Sequence, residues 1–323
     1  MIGDSAFAAF ADNLRRTRGL YAKADVAVAT RRLGLSSESI VPVGDDCAAI
    51  PEHDGWLLFS TEGFANEFVA GDPWYAGWCG IAANMANVAA MGGRAIAVVD
   101  SLWSPSDVHA DPVLRGLRDA AGAFGVPVVG GHTNLQSDRS QLSVAILGRT
   151  RHLLSGFEAR SGERLVAVFD LRGRFREPFN HWDAATNAPG ERLRGDLDVL
   201  PQLAEAGLCR AARDIGQGGL IGTAAMLSEG SGVSVELDLD AVPRPDGVCD
   251  ARWMQAVPSY GFLLSVQPKD VEAVLSAFRR RSIAAAEVGR LMPGSHLRLR
   301  SGGYQETIWD VAREPLTGCK ATA

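Results

Sequence analysis

The chain has 323 residues, of which 22% are charged and 46% hydrophobic, and its formal net charge is −6. A chain of this length and balance favours a globular protein of two domains. The acidic balance argues against a protein that binds nucleic acid through its charge, and no apolar run is long enough to span a membrane.

Five cysteines are scattered along the chain and never occur as Cys-x-x-Cys, so their spacing predicts neither a disulfide framework nor a zinc site. The N-terminus has no apolar core of the signal-peptide type, and we therefore expect a reduced protein of the cytoplasm. Lysine is rare, and Lys23 is followed by no other lysine before Lys269. Lys23 is a candidate phosphate contact, and a solvated surface side chain is the alternative.

Residues 1–40 are expected to form a helical segment, because residues 4–18 and 23–33 repeat apolar side chains at helical spacing. Two short strands are predicted next, at residues 41–43 and 56–59. Asp45 and Asp46 follow the first strand behind Gly44, and Glu62 follows the second. Carboxylates at strand ends suit Mg²⁺, which prefers oxygen ligands, whereas an acidic hairpin turn is the plainer alternative.

The best-formed helix begins after Asp72, a good N-cap residue, and ends near residue 91. One face is an apolar core stripe. A neighbouring face carries Gly77, Gly80, Asn84 and Asn87. Each glycine costs about 1 kcal/mol relative to alanine inside a helix, so another backbone or a ligand should approach this face closely. Asn84 and Asn87 are either ligand contacts or asparagines buried in ordinary core contacts.

Strands predicted at residues 95–101, 126–129 and 141–149 interleave with a helix over 111–124, so residues 41–152 should form an α/β or α+β domain. The strand at 126–129 ends in Gly130-Gly131-His132-Thr133, where two glycines allow close approach to the backbone. These four residues are candidate ligand contacts, and an ordinary surface histidine is the alternative for His132.

The second half, residues 153–323, begins after a polar link and again alternates strands and helices. Its long polar segment, 171–195, is either a solvated loop or a lid over a substrate. The candidate substrate contacts there are Arg174, His181 and Asp183. Asp214 then precedes a turn with Gly216 and Gly218 that enters a helix, an arrangement that presents backbone N–H groups to an anion.

Two common motifs are absent, since the chain contains neither a Walker A sequence nor Gly-x-Ser-x-Gly. Gly216-x-Gly218-x-x-x-Gly222 is one residue longer than the dinucleotide fingerprint, with Glu236 twenty residues beyond Gly216. A dinucleotide-binding oxidoreductase is therefore a weaker alternative, because it leaves the acidic first half unexplained.

Five short motifs occur in the order and spacing of one superfamily: Gly44-Asp45-Asp46-Cys47-Ala48, Ser60-Thr61-Glu62-Gly63, residues 84–92 (NMANVAAMG), Gly130-Gly131-His132-Thr133, and residues 214–220 (DIGQGGL). The chain resembles the PurM-like, ATP-dependent enzymes related to aminoimidazole ribonucleotide synthetase. That group includes thiamine-monophosphate kinase, selenophosphate synthetase and the hydrogenase-maturation carbamoyl dehydratase. The resemblance covers residues 41 to about 315.

The resemblance implies a two-domain α+β or α/β fold. An N-terminal mixed sheet would form a barrel across a homodimer, and a C-terminal α/β sandwich would follow. It also implies ATP and Mg²⁺ bound between the domains, with Asp45, Glu62 and Asp214 as metal ligands and Asp46 nearby. Asn84 would lie beside the phosphates, together with the other candidate nucleotide contacts, which are Asn87, Gly130, Gly131, Thr133, Gly216, Gly218 and Lys23. Asp45 and His132 would be the catalytic residues, His132 standing where relatives have Asp or His.

Three positions depart from the family pattern: Glu62 replaces Asp, Asn87 replaces an acidic residue, and Gln217 replaces a second Asp. With two anionic ligands missing, we expect fewer Mg²⁺ ions or weaker binding. Our leading hypothesis is Mg²⁺/ATP-dependent phosphoryl transfer to a small molecule, by a kinase or by a synthetase with a phosphorylated intermediate. The alternative is a nucleotide-binding or partner-binding protein of the same fold that has lost turnover.

Overall fold

The computed structural model describes residues 4–35 and 41–319. A five-stranded sheet from the first half of the chain and a seven-stranded sheet from the second half carry the fold, beside a small three-stranded sheet. In this described part of the chain, no helix combines the length and the apolar character needed to cross a membrane.

Two helices, α1 (Asp4–Arg15) and α2 (Arg18–Arg32), precede the sheets and lie against the second half of the chain. The Arg15 guanidinium donates to the Thr307 carbonyl oxygen, and a Cβ added to Gly19 would overlap the Gln217 carbonyl oxygen. The predicted N-terminal helices are therefore present, and α2 lies directly on the glycine-rich turn after Asp214.

The first sheet has the order β1-β2-β5-β3-β4, with β3 and β4 parallel and the other neighbours antiparallel. Its elements are β1 (Ala48–Glu52), β2 (Gly55–Phe64), α3 (Asn66–Gly71), α4 (Pro73–Ala90), β3 (Arg94–Trp103), α5 (Asp107–Phe124), β4 (Val128–Asn134) and β5 (Gln141–Thr150). The helices α4 and α5 contact each other, and α4 lies against β5, β2 and β3. The strands also carry exposed apolar side chains, which include Ile50, Phe59, Ile96, Val99, Val128 and Val129.

Three predicted boundaries are wrong. Residues 41–43 form no strand, because Gly44 turns the chain at φ 110° and β1 begins only after Asp46. Glu62 lies inside β2, since pairing with β5 continues to Phe64. Residues 130–133 likewise lie inside β4, because their parallel pairing with β3 continues to Asn134. Asp45, Asp46 and Glu62 therefore do not lie in the hairpin turn between β1 and β2.

The closely approached face of α4 was predicted, and its partner is the backbone of α5. A Cβ added to Gly77 would overlap the Val113 carbonyl oxygen, and one added to Gly116 would overlap the Trp74 carbonyl oxygen. Glycines thus let the two helix backbones touch. Gly80 instead makes room for the Val144 side chain of β5.

The second sheet has the order β15-β14-β10-β13-β6-β12-β9, and the small sheet has the order β11-β8-β7. Their strands are β6 (Arg164–Phe169), β7 (Arg174–Phe175), β8 (His181–Asp183), β9 (Ala211–Asp214), β10 (Val233–Asp238), β11 (Val257–Pro258), β12 (Gly261–Val266), β13 (Ala284–Pro293), β14 (His296–Ser301) and β15 (Tyr304–Asp310). The helices are α6 (Gly190–Leu197), α7 (Val199–Glu205), α8 (Gly219–Ser231), α9 (Asp250–Trp253) and α10 (Val271–Arg279).

The chain has two apolar cores among its described residues, and the first of them contains side chains from both halves. On β6, Val166 and Val168 join the core of α4 and α5, whereas Leu165 and Ala167 join a second core with α1 and α8. Alternate residues of a strand point to opposite faces, so the seven-stranded sheet separates the two cores. The domain boundary predicted at residue 152 lies in the link between β5 and β6, and it stays a prediction.

We predict that Gly116→Ala destabilises the protein by about 2–3 kcal/mol, because the added methyl group forces α4 and α5 apart. The matched control is Gly122→Ala on the same helix, where no atom lies within 4 Å of the added Cβ. That change should stabilise the helix by about 0.5–1 kcal/mol. Urea unfolding of both variants measures the difference, and equal unfolding midpoints would contradict the predicted contact.

Candidate functional site

A cavity of about 470 Å³ lies between the two halves, with walls from α2, residues 42–48, β2, α4, β8, β11 and the turn after β9. Its volume is within the range of small-molecule sites, roughly 300–1,000 Å³. Eight predicted site residues lie on its wall: Lys23, Asp45, Asp46, Glu62, Asn87, His181, Asp214 and Gly216.

Asp45 is fastened to the link between the halves. Its carboxylate accepts hydrogen bonds from the Ser155 hydroxyl at 2.6 Å and from the Gly156 N–H at 2.9 Å. The side chain is only 2% exposed. Its oxygens therefore already have partners within the chain.

Asp46 is held by the second half through Arg213, a residue that the sequence reasoning missed. The Asp46 carboxylate accepts from Arg213 Nη1 at 3.2 Å and from the Asp214 N–H at 2.9 Å. Arg213 is buried and also donates to the Gly44 carbonyl oxygen at 2.7 Å. A charged residue in the otherwise apolar start of β9, directly before Asp214, was the available signal.

The carboxyl groups of this wall repel one another. Burial, followed by the negative charge of Asp214, raises the pKa of Asp46 well above its ordinary value. Burial and the charge of Glu62 raise the pKa of Asp214 from 3.8 to about 6, against the lowering effect of Lys23 and Arg213. At neutral pH the four carboxyl groups of this end therefore outnumber its two cations, Lys23 and Arg213, and a bound cation would relieve the repulsion.

Asn87 holds Glu62 in place. Its side-chain amide donates to Glu62 Oε1 at 2.9 Å and to the Ser60 hydroxyl at 3.1 Å. An acidic residue at position 87 would repel Glu62 at this distance, so the asparagine and the glutamate form a compatible pair. One oxygen of Glu62 is left for a ligand.

In the parts of the chain that the structure describes, no three His, Cys, Asp or Glu side chains are grouped closely enough to hold a metal ion. Mg²⁺ commonly binds through one or two carboxylates together with substrate phosphates, so such a cage is not needed. Asp45 and Asp46 are engaged by protein partners, which leaves Glu62 and Asp214 to meet a cation. The donor set fits an ion that arrives with phosphates rather than a bare ion.

Eight predicted site residues lie off the cavity wall within one chain: Arg174 and Asp183, which are described below, and six others. Asn84 is completely buried, and its amide donates to the carbonyl oxygens of Gly80 at 2.8 Å and Val144 at 2.9 Å. The prediction that Asn84 meets phosphates is therefore wrong, because its side chain is enclosed: one amide N–H donates within α4 and the other ties α4 to β5. Gly130, Gly131, His132 and Thr133 are exposed on β4 at the sheet edge, and Gly218 lies beside the wall residues Gly216 and Gln217.

Within one chain His132 lies away from these carboxylates, and its catalytic role, which the family resemblance implies, stays a prediction. Its ring lies 5.6 Å from the Trp103 ring, and β5 and β3 separate β4 from the strand that carries Glu62. The parallel pairing of β3 and β4 fixes this position.

The three candidate substrate contacts separate. His181 lies on the wall, whereas Arg174 is exposed on β7. The buried Asp183 carboxylate accepts from the N–H groups of Ala185 and Thr186 and from the Thr186 hydroxyl. The prediction that Asp183 contacts a substrate is therefore wrong, because it closes a turn instead.

The C-terminal segment, residues 316–319, was also missed. Glu229 of α8 is completely buried and accepts from the Thr317 N–H at 2.8 Å, the Thr317 hydroxyl at 2.9 Å and the Gly318 N–H at 3.0 Å. Thr317 thereby lies on the cavity wall, and Cys319 lies so close to Gly44 that a Cβ there would be 2.5 Å from the Cys319 Cβ. A buried glutamate within an apolar helix was the available signal.

The topology contradicts the dinucleotide alternative. A dinucleotide fingerprint lies in a βαβ unit whose strands are parallel in one sheet. Here β12, β6 and β13 separate β9 from β10, and Glu236 is paired with Arg290 at 2.9 Å.

We predict that Asp214→Asn stabilises the metal-free protein at pH 7 by about 1–2 kcal/mol, since Asp214 is partly open to the cavity. A raised pKa means that the folded chain binds more protons than the unfolded chain, so stability falls as pH rises from about 4 to about 6. The free energy of unfolding of Asp214→Asn should change much less over this pH range than that of the wild type. Denaturant unfolding in chelator across pH 4–7 measures it, with exposed Asp246→Asn as the control. Equal stability of wild type and Asp214→Asn at pH 7 would contradict the prediction.

Comparisons with known proteins agree with this architecture. The family model described as AIR synthase related protein, N-terminal domain, matches residues 44–150, and the model of the corresponding C-terminal domain matches residues 180–302. An uncharacterized protein of Synechocystis sp. is 44% identical over 310 residues, covering 94% of this chain and 96% of its own. The phosphoribosylformylglycinamidine synthase subunit PurL of Methanopyrus kandleri is 28% identical over 290 residues, covering 81% of this chain and 40% of its own.

Two solved structures are similar in fold. PurL of T. maritima complexed with ATP has a TM-score of 0.70 at 19% identity, covering 88% of this chain and 48% of its own. AaThiL complexed with AMPPCP and TMP has a TM-score of 0.66 at 21% identity, covering 87% of this chain and 95% of its own. The chain spans about half the length of these PurL chains. The two-domain PurM-like fold predicted from the sequence is confirmed, and the chain belongs to the AIR synthase-related proteins.

Proposed function

We propose that this protein binds ATP with Mg²⁺ in the cavity between its two halves and transfers a phosphoryl group to a small-molecule acceptor, as a kinase or as a synthetase. The observation that carries the proposal is the pair Glu62 and Asp214, two carboxylates on the wall of one cavity, where burial and the charge of Glu62 raise the pKa of Asp214. Such a pair suits a cation that bridges protein and phosphate. Solved proteins of this fold are complexed with ATP or with AMPPCP.

The phosphates would lie where the cavity offers positive charge and backbone donors. Lys23 of α2 is close enough to lower the pKa of Asp214, and Gly216 and Gln217 line the cavity just before α8 begins. A helix N-terminus with glycines presents N–H groups and the positive end of the helix dipole to an anion. Phosphoryl transfer depends mainly on positioning and on neutralised charge, which these groups would supply when Mg²⁺ is bound.

Arg213 supports a second candidate, a nucleotide-binding protein without turnover. Its buried guanidinium neutralises Asp46, so one carboxylate of the wall is paired inside the chain. The two candidates differ in their dependence on Mg²⁺. Equal ATP affinity with and without Mg²⁺, and no ADP release with pooled metabolites, would favour the second candidate.

We also propose a homodimer that forms through the exposed apolar face and free edge of the first sheet, closing the barrel that the family resemblance implies. The edge strand β4 is exposed along its whole length, and Val129 on it is 63% exposed. Free sheet edges and apolar patches are usually covered in stable proteins. A second copy of the same sheet would cover both.

We predict that Glu62→Gln weakens MgATP binding at least about tenfold, because the cation loses one negatively charged protein ligand. Without Mg²⁺ the same variant should bind ATP as well as wild type or better, because it repels the phosphates less. Calorimetric titration with ATP, in Mg²⁺ and in chelator, measures both affinities. The control is Glu67→Gln, the same change at an exposed position on α3. Unchanged MgATP affinity in Glu62→Gln would contradict the metal role of Glu62.

We predict that Val129→Lys converts the dimer to a monomer and weakens association about a hundredfold. In a symmetric dimer, both copies would bury the new charge in the interface. Sedimentation velocity across a concentration series measures the association. Val108→Lys is the control, since Val108 is 74% exposed on α5. A Val129→Lys protein that stays dimeric, or a wild type that is monomeric, would contradict the proposed interface.

A further inference from the structure

The cavity has two unlike ends. All the charged side chains of its described wall come from α2, the loop before β1, β2 and β9, and they are Lys23, Asp45, Asp46, Glu62, Arg213 and Asp214. The wall formed by α4, β8 and β11 carries none. We call this uncharged end the aromatic recess, and define it by Tyr75, Trp78, Cys79, Ala83, Ala86 and His181.

Small side chains of α4 create the space in the recess. Cys79, Ala83 and Ala86 follow at steps of four and three, so they share one face of the helix. Ala83 and Ala86 are only partly buried, although most of this helix is buried. Their short side chains leave the recess open between α4 and β8.

The rings around the recess are fixed in place. The His181 ring stacks on the Phe68 ring at 4.7 Å and 14°, and it meets the Tyr75 ring edge-on at 5.9 Å. The Arg176 guanidinium lies 4.5 Å from the centroid of the Tyr75 ring. Arg176 is paired with Asp72 at 2.8 Å and is not a wall residue. Among the described residues, the recess therefore has ordered ring surfaces and no unpaired cation on its wall.

His181 is the polar group that this end presents. Burial lowers the pKa of its imidazole to about 4, so the ring is neutral at physiological pH. Neither ring nitrogen has a hydrogen-bond partner among the described residues, and Nδ1 is enclosed, so Nε2 is the nitrogen left to meet a ligand. Buried polar atoms usually have partners, and a neutral imidazole can both donate and accept. Tyr75 and Cys79 hydrogen-bond to each other instead.

We propose that the aromatic recess binds an uncharged, flat heteroaromatic ring of the phosphoryl acceptor, with the His181 imidazole as its hydrogen-bonding partner. Flat rings fit stacked and edge-on ring walls, and a charged group would lose its hydration without finding a counter-charge. The heteroatom supplies the partner for the imidazole. This inference rests on the proposed function, because the carboxylate end of the same cavity is assigned there to MgATP.

The test uses indazole as the probe, with cyclohexanol as the uncharged control that is not flat and benzoate as the flat control that is charged. Saturation-transfer NMR at pH 7.5, with and without AMPPCP and Mg²⁺, should detect indazole alone, and nucleotide should not displace it. Ala86→Leu should weaken indazole binding at least about tenfold by filling the recess and leave nucleotide affinity unchanged within about twofold. Met85→Leu, on the same helix but off the wall, should change neither.

A second variant tests the hydrogen bond. His181→Phe keeps the stacked ring and removes both nitrogens, so it should weaken indazole about tenfold and leave benzothiophene, which has no N–H group, unaffected. Indazole binding that survives Ala86→Leu would overturn the recess assignment, and displacement by nucleotide would assign the recess to the nucleotide base instead. If indazole behaves as expected but ATP does not bind, the proposed function fails while the ring site stands.

Discussion

One buried guanidinium fixes the site. Arg213 reaches from β9 to the Gly44 carbonyl oxygen and to the Asp46 carboxylate, which lies 167 positions earlier in the chain. Removing one partner of such a buried pair is strongly destabilising, because the other charge is left without compensation. The loop before β1 therefore has a fixed position relative to Asp214, and this position brings Asp45, Asp46 and Asp214 to the same end of the cavity.

The helix α4 combines three kinds of contact within eighteen residues. Its glycine at position 77 touches the backbone of α5, Asn84 ties it to β5, and Asn87 orients Glu62. Its small residues at positions 83 and 86 open the cavity. A substitution on this helix therefore acts on packing, sheet attachment or ligand space according to its face, and the three effects should separate by position.

The family, the fold and the close approach to α4 were predictable, because local motifs and helix periodicity carry them. The contrast between Asn84 and Asn87 was not, since the two residues lie three positions apart on one stripe and only the strands opposite them differ. The start of β1 and the placement of His132 depend on strand pairing with distant residues, which no local pattern encodes. Arg213 was missed for the same reason, because its partners are far away in sequence.

The segment held by Glu229 determines when the cavity wall is completed during synthesis. Gly44 leaves the ribosome long before Thr317, yet both form the wall of one cavity. A nascent chain that has already built the first sheet still has a cavity open on the side of Gly44. This side of the cavity is therefore closed only after residues 316–319 have folded onto Glu229, and proteolytic removal of that segment would open it again.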